Sequence, residues 1–144
     1  LVGKPVPVFS LKDLHNPETM LDHSLFRGQV SLLNVWGTWC PACKDEHADL
    51  VWLAEEKGVN IIGLNYKDNR EDALVWLDRL GNPYRQTIYD PRGTLGFDLG
   101  VYGAPETFVI DAGGVVRYRH VGVVNETVWE EKLLPVINDV RGNG

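Results

Sequence analysis

The stretch Val30-Ser-Leu-Leu-Asn-Val-Trp-Gly-Thr-Trp-Cys-Pro-Ala-Cys43 contains the features that decide the fold of this chain. Up to Trp36 it is almost continuously apolar, which is typical of a strand buried on both faces of a sheet. From Pro41 to about Lys57, apolar residues recur at intervals of three to four positions, which predicts a helix. Cys40 therefore lies where a central strand passes into a helix, and Cys43 lies in the first turn of that helix.

Strand and helix patterns continue to alternate after this point. A second buried strand is predicted at residues 60–66, a helix from about Arg70 to Leu80, and a short strand at residues 86–89. The alternation predicts parallel strands joined by right-handed crossovers, which is the arrangement of an open α/β sheet. The glycine-rich stretch from Gly93 to Gly103 shows no clear element.

The last third of the chain has a different pattern. Residues 106–111 and 115–121 read as two strands around Ala112-Gly113-Gly114, which is a hairpin signal, so the sheet is expected to finish antiparallel. A final helix is predicted from about Thr127 to Val140. It is expected to be capped by Asn125 and kinked by its internal proline, Pro135.

Length and composition predict one globular domain, residues 1–144, of which 44% are hydrophobic. The net charge of −6 gives no electrostatic footprint for nucleic acid, so we expect no nucleic-acid partner. No apolar run approaches the roughly 20 residues that cross a bilayer. The two cysteines are too close together to act as a structural disulfide staple, because they close only a tiny loop.

The position of the Cys-Pro-Ala-Cys motif predicts redox chemistry. Ligands bind at the carboxyl ends of strands in open α/β sheets, and this edge is expected to present Cys40 to solvent. The partial positive charge at a helix N-terminus favours a thiolate, so Cys40 is the expected nucleophile and Cys43 the expected resolving thiol. The two residues are expected to form a redox disulfide, and the chemistry needs no cofactor.

Four other interpretations remain open at this stage. The two cysteines with His47 resemble half of a zinc site, although a structural zinc site needs four ligands and no second pair is present. The thiols could also be neighbours by chance. A disulfide oxidant would use the same residues with a less negative reduction potential, and a thiol peroxidase would need a peroxide-reactive cysteine.

Two motifs together resemble the thioredoxin fold. They are Trp39-Cys-Pro-Ala-Cys43 after a buried strand and Gly103-Ala-Pro105 before the hairpin, where the resemblance implies a cis proline facing the dithiol. The implied fold is α/β, with a central mixed β-sheet flanked by helices. Relative to a minimal thioredoxin it would have an N-terminal extension, residues 1–29, and a core, residues 30–140, with a central insertion.

Longer motifs resemble one branch of that fold, the CcmG/DsbE family. They include Asn34 to Cys43, Glu46-His47, Asn65-Tyr-Lys-Asp68, Gly81-Asn-Pro-Tyr84, Gly100-Val-Tyr-Gly-Ala-Pro-Glu-Thr-Phe108 and Arg117-Tyr-Arg-His120. The resemblance implies a periplasmic protein that keeps cysteines reduced during cytochrome c maturation. The implied substrate is apocytochrome c or a CcmH-like intermediary, and the implied electron donor is a DsbD-type transmembrane reductant. A membrane anchor preceding Leu1 and a monomeric state are also expected.

The resemblance also implies the remaining site residues. Thioredoxins carry a buried aspartate where this chain has Asn34, so the acid–base partner of Cys43 must be another residue, and Glu46 and Glu106 are the candidates. Both carboxylates are expected to raise the pKa of the site thiols, which makes the protein a reductant. Partner contacts are expected from the residues around the dithiol and the proline, namely Trp39, Pro41, Gly103, Ala104 and Pro105.

Overall fold

The computed structural model describes residues 1–142 and contains two β-sheets. A two-stranded sheet pairs β1 with β2. The larger sheet has five strands in the order β5-β4-β3-β6-β7, with β3, β4 and β5 parallel and β6 and β7 antiparallel to their neighbours. The strand bounds are β1 Ser10–Lys12, β2 Met20–Asp22, β3 Ser31–Trp36, β4 Ile61–Tyr66, β5 Gln86–Asp90, β6 Glu106–Ile110 and β7 Val116–Val121.

Four helices accompany the sheet. Helix α1 is Pro41–Glu56, α2 is Arg70–Leu80 and α3 is Thr94–Asp98, and a 3-10 turn spans His23–Phe26. The C-terminal helix, α4, consists of an α-helical turn at Glu126–Val128, a π-helical turn at Trp129–Leu133 and an α-helical segment at Leu134–Gly142. None of these helices, within residues 1–142, is long and apolar enough to span a membrane.

The predicted α/β fold with a mixed central sheet is confirmed. Strands β3 and β4 are buried along their whole length, as continuous apolar runs predict. Alternate residues of each strand point to opposite faces, so β3 places Leu32 and Trp36 against helices α1, α2 and α4. On the other face Leu33 and Val35 pack against the N-terminal segment and α3. The helix that follows Cys40 is thus held firmly on one side of the sheet.

The first 29 residues cover the second face of the sheet and reach both of its edges. Pro5 bridges to Val115 beside β7, and Asp13 bridges to Ile88 on β5. Phe9 and Phe26 meet edge to face, with ring centroids 6.4 Å apart, in the cluster beneath the sheet.

The predicted hairpin and the N-cap of the last helix are confirmed. Strands β6 and β7 are antiparallel, and the Asn125 side chain accepts a hydrogen bond from the Val128 amide at 2.9 Å. Pro135 is the second residue after the π-helical turn of α4. A proline cannot donate the amide hydrogen that an α-helix needs at this position, and π-turns are one way in which helices adjust.

Helix α3 was not predicted by the sequence patterns, and neither were β1, β2 and the 3-10 turn. Helix α3 lies inside the glycine-rich stretch, and Gly93 precedes it with a φ of 74°. Buried Asp90 holds the first turn, because its carboxylate accepts hydrogen bonds from the Gly96 amide at 2.9 Å and the Thr94 hydroxyl at 3.3 Å. Leu95 is buried beneath it. Five residues are too few for helical periodicity to stand out in a sequence.

Candidate active site

The two cysteines form a disulfide at the N-terminus of α1. Their Cα atoms are 5.3 Å apart, and Cys40 caps the helix, with its Sγ accepting from the Cys43 amide at 3.2 Å. Pro41 is the first helical residue, where the missing amide hydrogen does no harm. The geometry confirms that the pair lies where β3 passes into α1.

Cys40 is covered rather than exposed, which corrects the expectation that the sheet edge presents it to solvent. Only 3% of Cys40 is accessible, because its Sγ is bonded to Cys43 and contacts the Ala104 carbonyl oxygen at 3.4 Å. A disulfide sulfur has no hydrogen to donate, so this is a packing contact in the oxidised state. In the reduced state the same geometry lets the thiol donate to the carbonyl.

The segment before β6 forms the other wall of the site. The Ala104–Pro105 peptide bond is cis, as the thioredoxin resemblance implied, and Pro105 is buried. Gly103 and Ala104 are partly accessible, and a side chain added at Gly103 would meet no atom within 4 Å. The main chain at Gly103 and Ala104 therefore borders open space next to the dithiol.

Trp39 is half exposed, with 48% of its surface accessible, and one end of its ring is anchored. Its indole Nε1 donates to the Tyr66 carbonyl oxygen at 2.9 Å, and its ring packs directly over Gly37, where any side chain would collide with it. The ring is thus exposed yet held in place, and its role as an apolar platform for a partner stays a prediction.

Asp68 ties the loop before Cys40 to the end of β4. Its carboxylate accepts from the Thr38 amide at 2.8 Å and the Thr38 hydroxyl at 2.7 Å. It also accepts from the Asn65 amide group at 3.0 Å and from the Asn69 amide at 2.8 Å. The sequence patterns assigned no role to Asp68.

Asn34 occupies the thioredoxin aspartate position and orients Glu46. Its Nδ2 donates to the Glu46 carboxylate at 2.9 Å and to the Thr107 hydroxyl at 3.1 Å, and its Oδ1 accepts from the Tyr84 hydroxyl at 2.8 Å. The second Glu46 oxygen accepts from the Val124 amide at 3.0 Å. The buried acid is thus displaced from β3 to α1, one turn after Cys43.

Burial raises the pKa of Glu46 to about 7, and the nearby Asp49 charge adds to this effect. The hydrogen bonds from Asn34 and Val124 act in the opposite direction without cancelling the loss of hydration. No accessible surface remains on the residue. A carboxyl with this pKa exchanges its proton near neutral pH, which is what an acid–base group for thiol chemistry requires.

Glu106 is also buried, with 1% of its surface accessible, but it has a cationic partner. Arg119 on β7 donates from Nε to the Glu106 carboxylate at 2.7 Å and forms an ion pair with it through its guanidinium group. The negative charge of Glu106 is therefore countered within the protein. That Glu106 raises the pKa of the site thiols stays a prediction, and the paired arginine weakens it.

His47 is buried, and contacts at both ring nitrogens hold it in place. Its Nε2 lies 2.7 Å from the Gly81 carbonyl oxygen, and its Nδ1 lies 3.4 Å from the Trp76 indole nitrogen. Burial lowers the pKa of His47, so a neutral ring that donates from Nε2 satisfies both contacts. Within residues 1–142, no cluster of three or more histidine, cysteine, aspartate or glutamate residues could hold a metal ion.

The structure therefore brings together most of the residues expected at the site. Trp39, Cys40, Pro41 and Cys43 form one wall, and Gly103 to Pro105 form the other. Glu46 lies behind the dithiol on α1, and Glu106 follows the proline on β6. Asp68 and Arg119 were missed, although both fall in motifs that carry the family resemblance.

These features define a class of protein, the thioredoxin-fold thiol:disulfide oxidoreductases. A secreted thiol-disulfide isomerase from Corynebacterium glutamicum has a similar structure, with a TM-score of 0.78 and 29% identity over 92% of this chain and 85% of that chain. The Redoxin family model matches residues 1–135.

The thiol:disulfide interchange protein DsbE of Vibrio cholerae serotype O1 is 60% identical over 136 residues, which are 94% of this chain and 73% of the relative. DsbE of Escherichia coli K12 is 52% identical over 137 residues, 94% of this chain and 74% of that protein. This chain belongs to the Redoxin family and, within it, to the DsbE thiol:disulfide interchange proteins.

Glu46 makes the stability of the oxidised protein depend on pH. Its folded-state pKa is about 7 against an ordinary 4.5, so the folded state keeps a proton that the unfolded chain has lost. Relative to Glu46→Gln, stability is therefore unaffected below about pH 4.5, falls by about 3 kcal/mol as the pH rises from 4.5 to 7, and levels off above that. Urea unfolding of both proteins between pH 4 and about 8 measures this difference.

Burial lowers the pKa of His47, which makes stability fall toward low pH, but this effect is common to both proteins and cancels in the difference. A difference between the wild type and Glu46→Gln that does not change with pH would contradict the proton held by Glu46.

Asp68→Ala is expected to loosen the loop that carries Trp39. The substitution leaves the Thr38 amide and hydroxyl without their partner and lowers the free energy of unfolding by about 2 kcal/mol. NMR relaxation of the Trp39 indole resonance should report faster motion. Asp45→Ala is the matched control, because it removes an exposed negative charge near the dithiol without touching the loop. Equal effects of the two substitutions on stability and on Trp39 motion would contradict the role of Asp68 in holding this loop.

Proposed function

We propose that this thiol:disulfide oxidoreductase works as a reductant that passes two electrons from Cys40 and Cys43 to a disulfide in a partner protein. One observation carries the proposal: the Cys40–Cys43 disulfide lies at the N-terminus of α1, and Cys40 Sγ is in contact with the Ala104 carbonyl oxygen. A nucleophile at a helix N-terminus, a second thiol one turn later and an open strip of main chain are the parts that disulfide exchange requires.

The exchange takes place in two steps. In the reduced protein the Cys40 thiolate attacks one sulfur of the partner disulfide, which breaks that bond and releases the first partner sulfur as a thiolate. Cys43 then loses its proton and attacks Cys40 Sγ. The mixed disulfide breaks, the second partner sulfur leaves as a thiolate, and the Cys40–Cys43 disulfide forms. The partner gains two electrons, and the protein is oxidised.

Glu46 is the proposed acid–base residue for the second step. It lies one turn after Cys43 on the buried face of α1, and its pKa of about 7 lets it take up and return a proton at neutral pH. Glu106 is proposed as a positioning residue. Its paired carboxylate lies next to Pro105, so it acts on the reaction through the segment that contacts Cys40.

The proposed binding mode is main-chain pairing of an extended partner segment along Gly103 and Ala104. This strip is accessible beside the dithiol, and a paired peptide would place its cysteine over Cys40. Trp39 supplies an exposed ring at one end of the strip, while Pro41 and Pro105 frame the disulfide. The binding site is a surface rather than an enclosed pocket.

The sequence resemblance and the DsbE relatives support a place in cytochrome c maturation. In this role the substrate is the haem-attachment cysteine pair of apocytochrome c, reached directly or through a CcmH-like intermediary. A DsbD-type transmembrane reductant restores the dithiol. We place the protein in the periplasm, as a monomer tethered to the inner membrane by an N-terminal anchor, and its exchange chemistry uses no cofactor.

Cys43→Ser is expected to trap the partner. Without the resolving thiol, the mixed disulfide through Cys40 accumulates when the reduced variant meets an oxidised peptide with the haem-attachment pattern Cys-x-x-Cys-His. Mass spectrometry of the adduct after proteolysis locates the linkage. Cys40→Ser is the control and should trap little peptide, because it removes the sulfur that contacts the Ala104 main chain, where the peptide is proposed to bind, and leaves only the thiol within the first turn of α1. No adduct with Cys43→Ser would overturn the proposed function.

The reduction potential separates a reductant from the alternative of a disulfide oxidant. We expect about −200 mV or below, rather than the roughly −120 mV of a strong oxidant, because the ionised form of Glu46 disfavours the thiolate that stabilises the reduced form. Equilibration with glutathione redox buffers, followed by tryptophan fluorescence or mass spectrometry after thiol trapping, gives the value. A potential near −120 mV would reverse the proposed direction.

A further inference from the structure

Arg119 joins three parts of the chain around the dithiol. Besides its ion pair with Glu106, its guanidinium donates to the Gly100 carbonyl oxygen at 3.0 Å. The guanidinium carbon lies 5.5 Å from the centre of the Tyr102 ring and 5.7 Å from that of Phe108. A flat cation with several donors can make all of these contacts at once, whereas a lysine ammonium cannot.

Arg119 contacts the chain at both ends of the stretch from Gly100 to Pro105, which we term the 100–105 segment. Gly100 begins it, and Glu106 follows its last residue directly. Inside the segment, the Tyr102 amide donates to the second Glu106 oxygen at 3.4 Å. One guanidinium group thus holds both ends of the segment, and one carboxylate holds its middle.

The same segment contacts the reacting sulfur. The Ala104 carbonyl oxygen lies 3.4 Å from Cys40 Sγ, so a shift of the segment moves the main chain that borders the disulfide. Tyr102, two residues earlier, exposes 78% of its surface although the guanidinium lies over its ring. An aromatic ring held in place yet open to solvent is suited to contact a partner protein.

We propose that Arg119 is a positioning residue that fixes the 100–105 segment for partner binding and thereby favours polypeptide disulfides over small-molecule disulfides. The inference rests on the proposed function, because it assumes main-chain pairing at Gly103 and Ala104. A polypeptide needs this strip in one conformation and gains contacts with the Tyr102 ring. A small disulfide needs only access to Cys40, so its rate depends little on the segment.

Comparison with a Glu106 carboxylate that lacked a cationic partner shows why an arginine is needed beside it. A carboxylate with 1% accessibility and no cation would have to take up a proton or pull the segment open to reach water. Either change alters the main chain next to Cys40. Arg119 removes that conflict while remaining partly accessible itself, with 27% of its side chain exposed.

The test compares Arg119→Gln with wild-type protein on two substrates. Reduced protein is mixed with increasing amounts of an oxidised Cys-x-x-Cys-His peptide or of oxidised glutathione, and single-turnover rates give a maximal rate and a half-saturating concentration. We expect Arg119→Gln to raise the half-saturating peptide concentration roughly tenfold, with less than about a twofold change in its maximal rate and in the glutathione rate.

Two further variants separate positioning from general stability. Arg117→Gln is the matched control, because Arg117 lies two residues earlier on β7 and pairs with Asp111, away from the dithiol. It should leave both substrates unchanged. Arg119→Lys keeps the charge beside Glu106 but cannot also bind Gly100 and stack on Tyr102, so an intermediate rise for the peptide is expected. This variant decides the question where Arg119→Gln does not fold.

Equal losses on peptide and glutathione, or an unchanged half-saturating peptide concentration, would overturn the positioning role of Arg119. These outcomes leave the proposed function intact as long as the wild-type protein reduces the peptide. If the wild-type protein fails to exchange with the peptide at all, the proposed function itself is wrong, and the inference falls with it.

Discussion

The antiparallel register of β6 against β3 determines where every group of the site lies. Val35 pairs with Glu106, so the residues that follow β3 and those that precede β6 leave the sheet at the same edge. Cys40 and Ala104 meet there although 64 positions separate them. A slip of one residue would turn each buried side chain of β6 to the other face, so the core itself enforces the register that assembles the site.

Three carboxylates near the dithiol have different partners, and the partner decides what each can do. Burial raises the pKa of Glu46 to about 7, because the hydrogen bonds from an amide side chain and a main-chain amide orient the carboxyl without offsetting its loss of hydration. Glu106 is paired with Arg119 and serves to hold a segment. Asp68 is only partly buried and accepts four hydrogen bonds, which makes it a tie between loops. The three acidic side chains thus have different roles because their surroundings differ.

The sequence sufficed for the sheet, its two major helices and the redox pair, because these depend on local patterns. Continuous apolar runs identify β3 and β4, and the Cys-Pro-Ala-Cys motif marks the passage from β3 into α1. Arg119 could not be assigned in this way. Its partner is determined by the pairing of β6 with β7, and nothing in Arg117-Tyr-Arg-His120 shows which arginine points to a buried carboxylate. The prediction that Cys40 is exposed was wrong for a similar reason, because a segment distant in the sequence covers this residue.

The buried acid of this site lies on α1, and its charge state bears on the proposed role as a reductant. On β3 an aspartate would lie in the sheet beneath the dithiol, whereas Glu46 lies on the helix whose dipole favours the Cys40 thiolate. An ionised Glu46 opposes that dipole, and a protonated Glu46 does not. Because its pKa is about 7, the balance shifts around neutral pH. The reduced dithiol is then less stabilised as the pH rises through 7 than a site without this acid would be. In the proposed reductant, the ionised form of this one carboxyl would therefore favour electron donation.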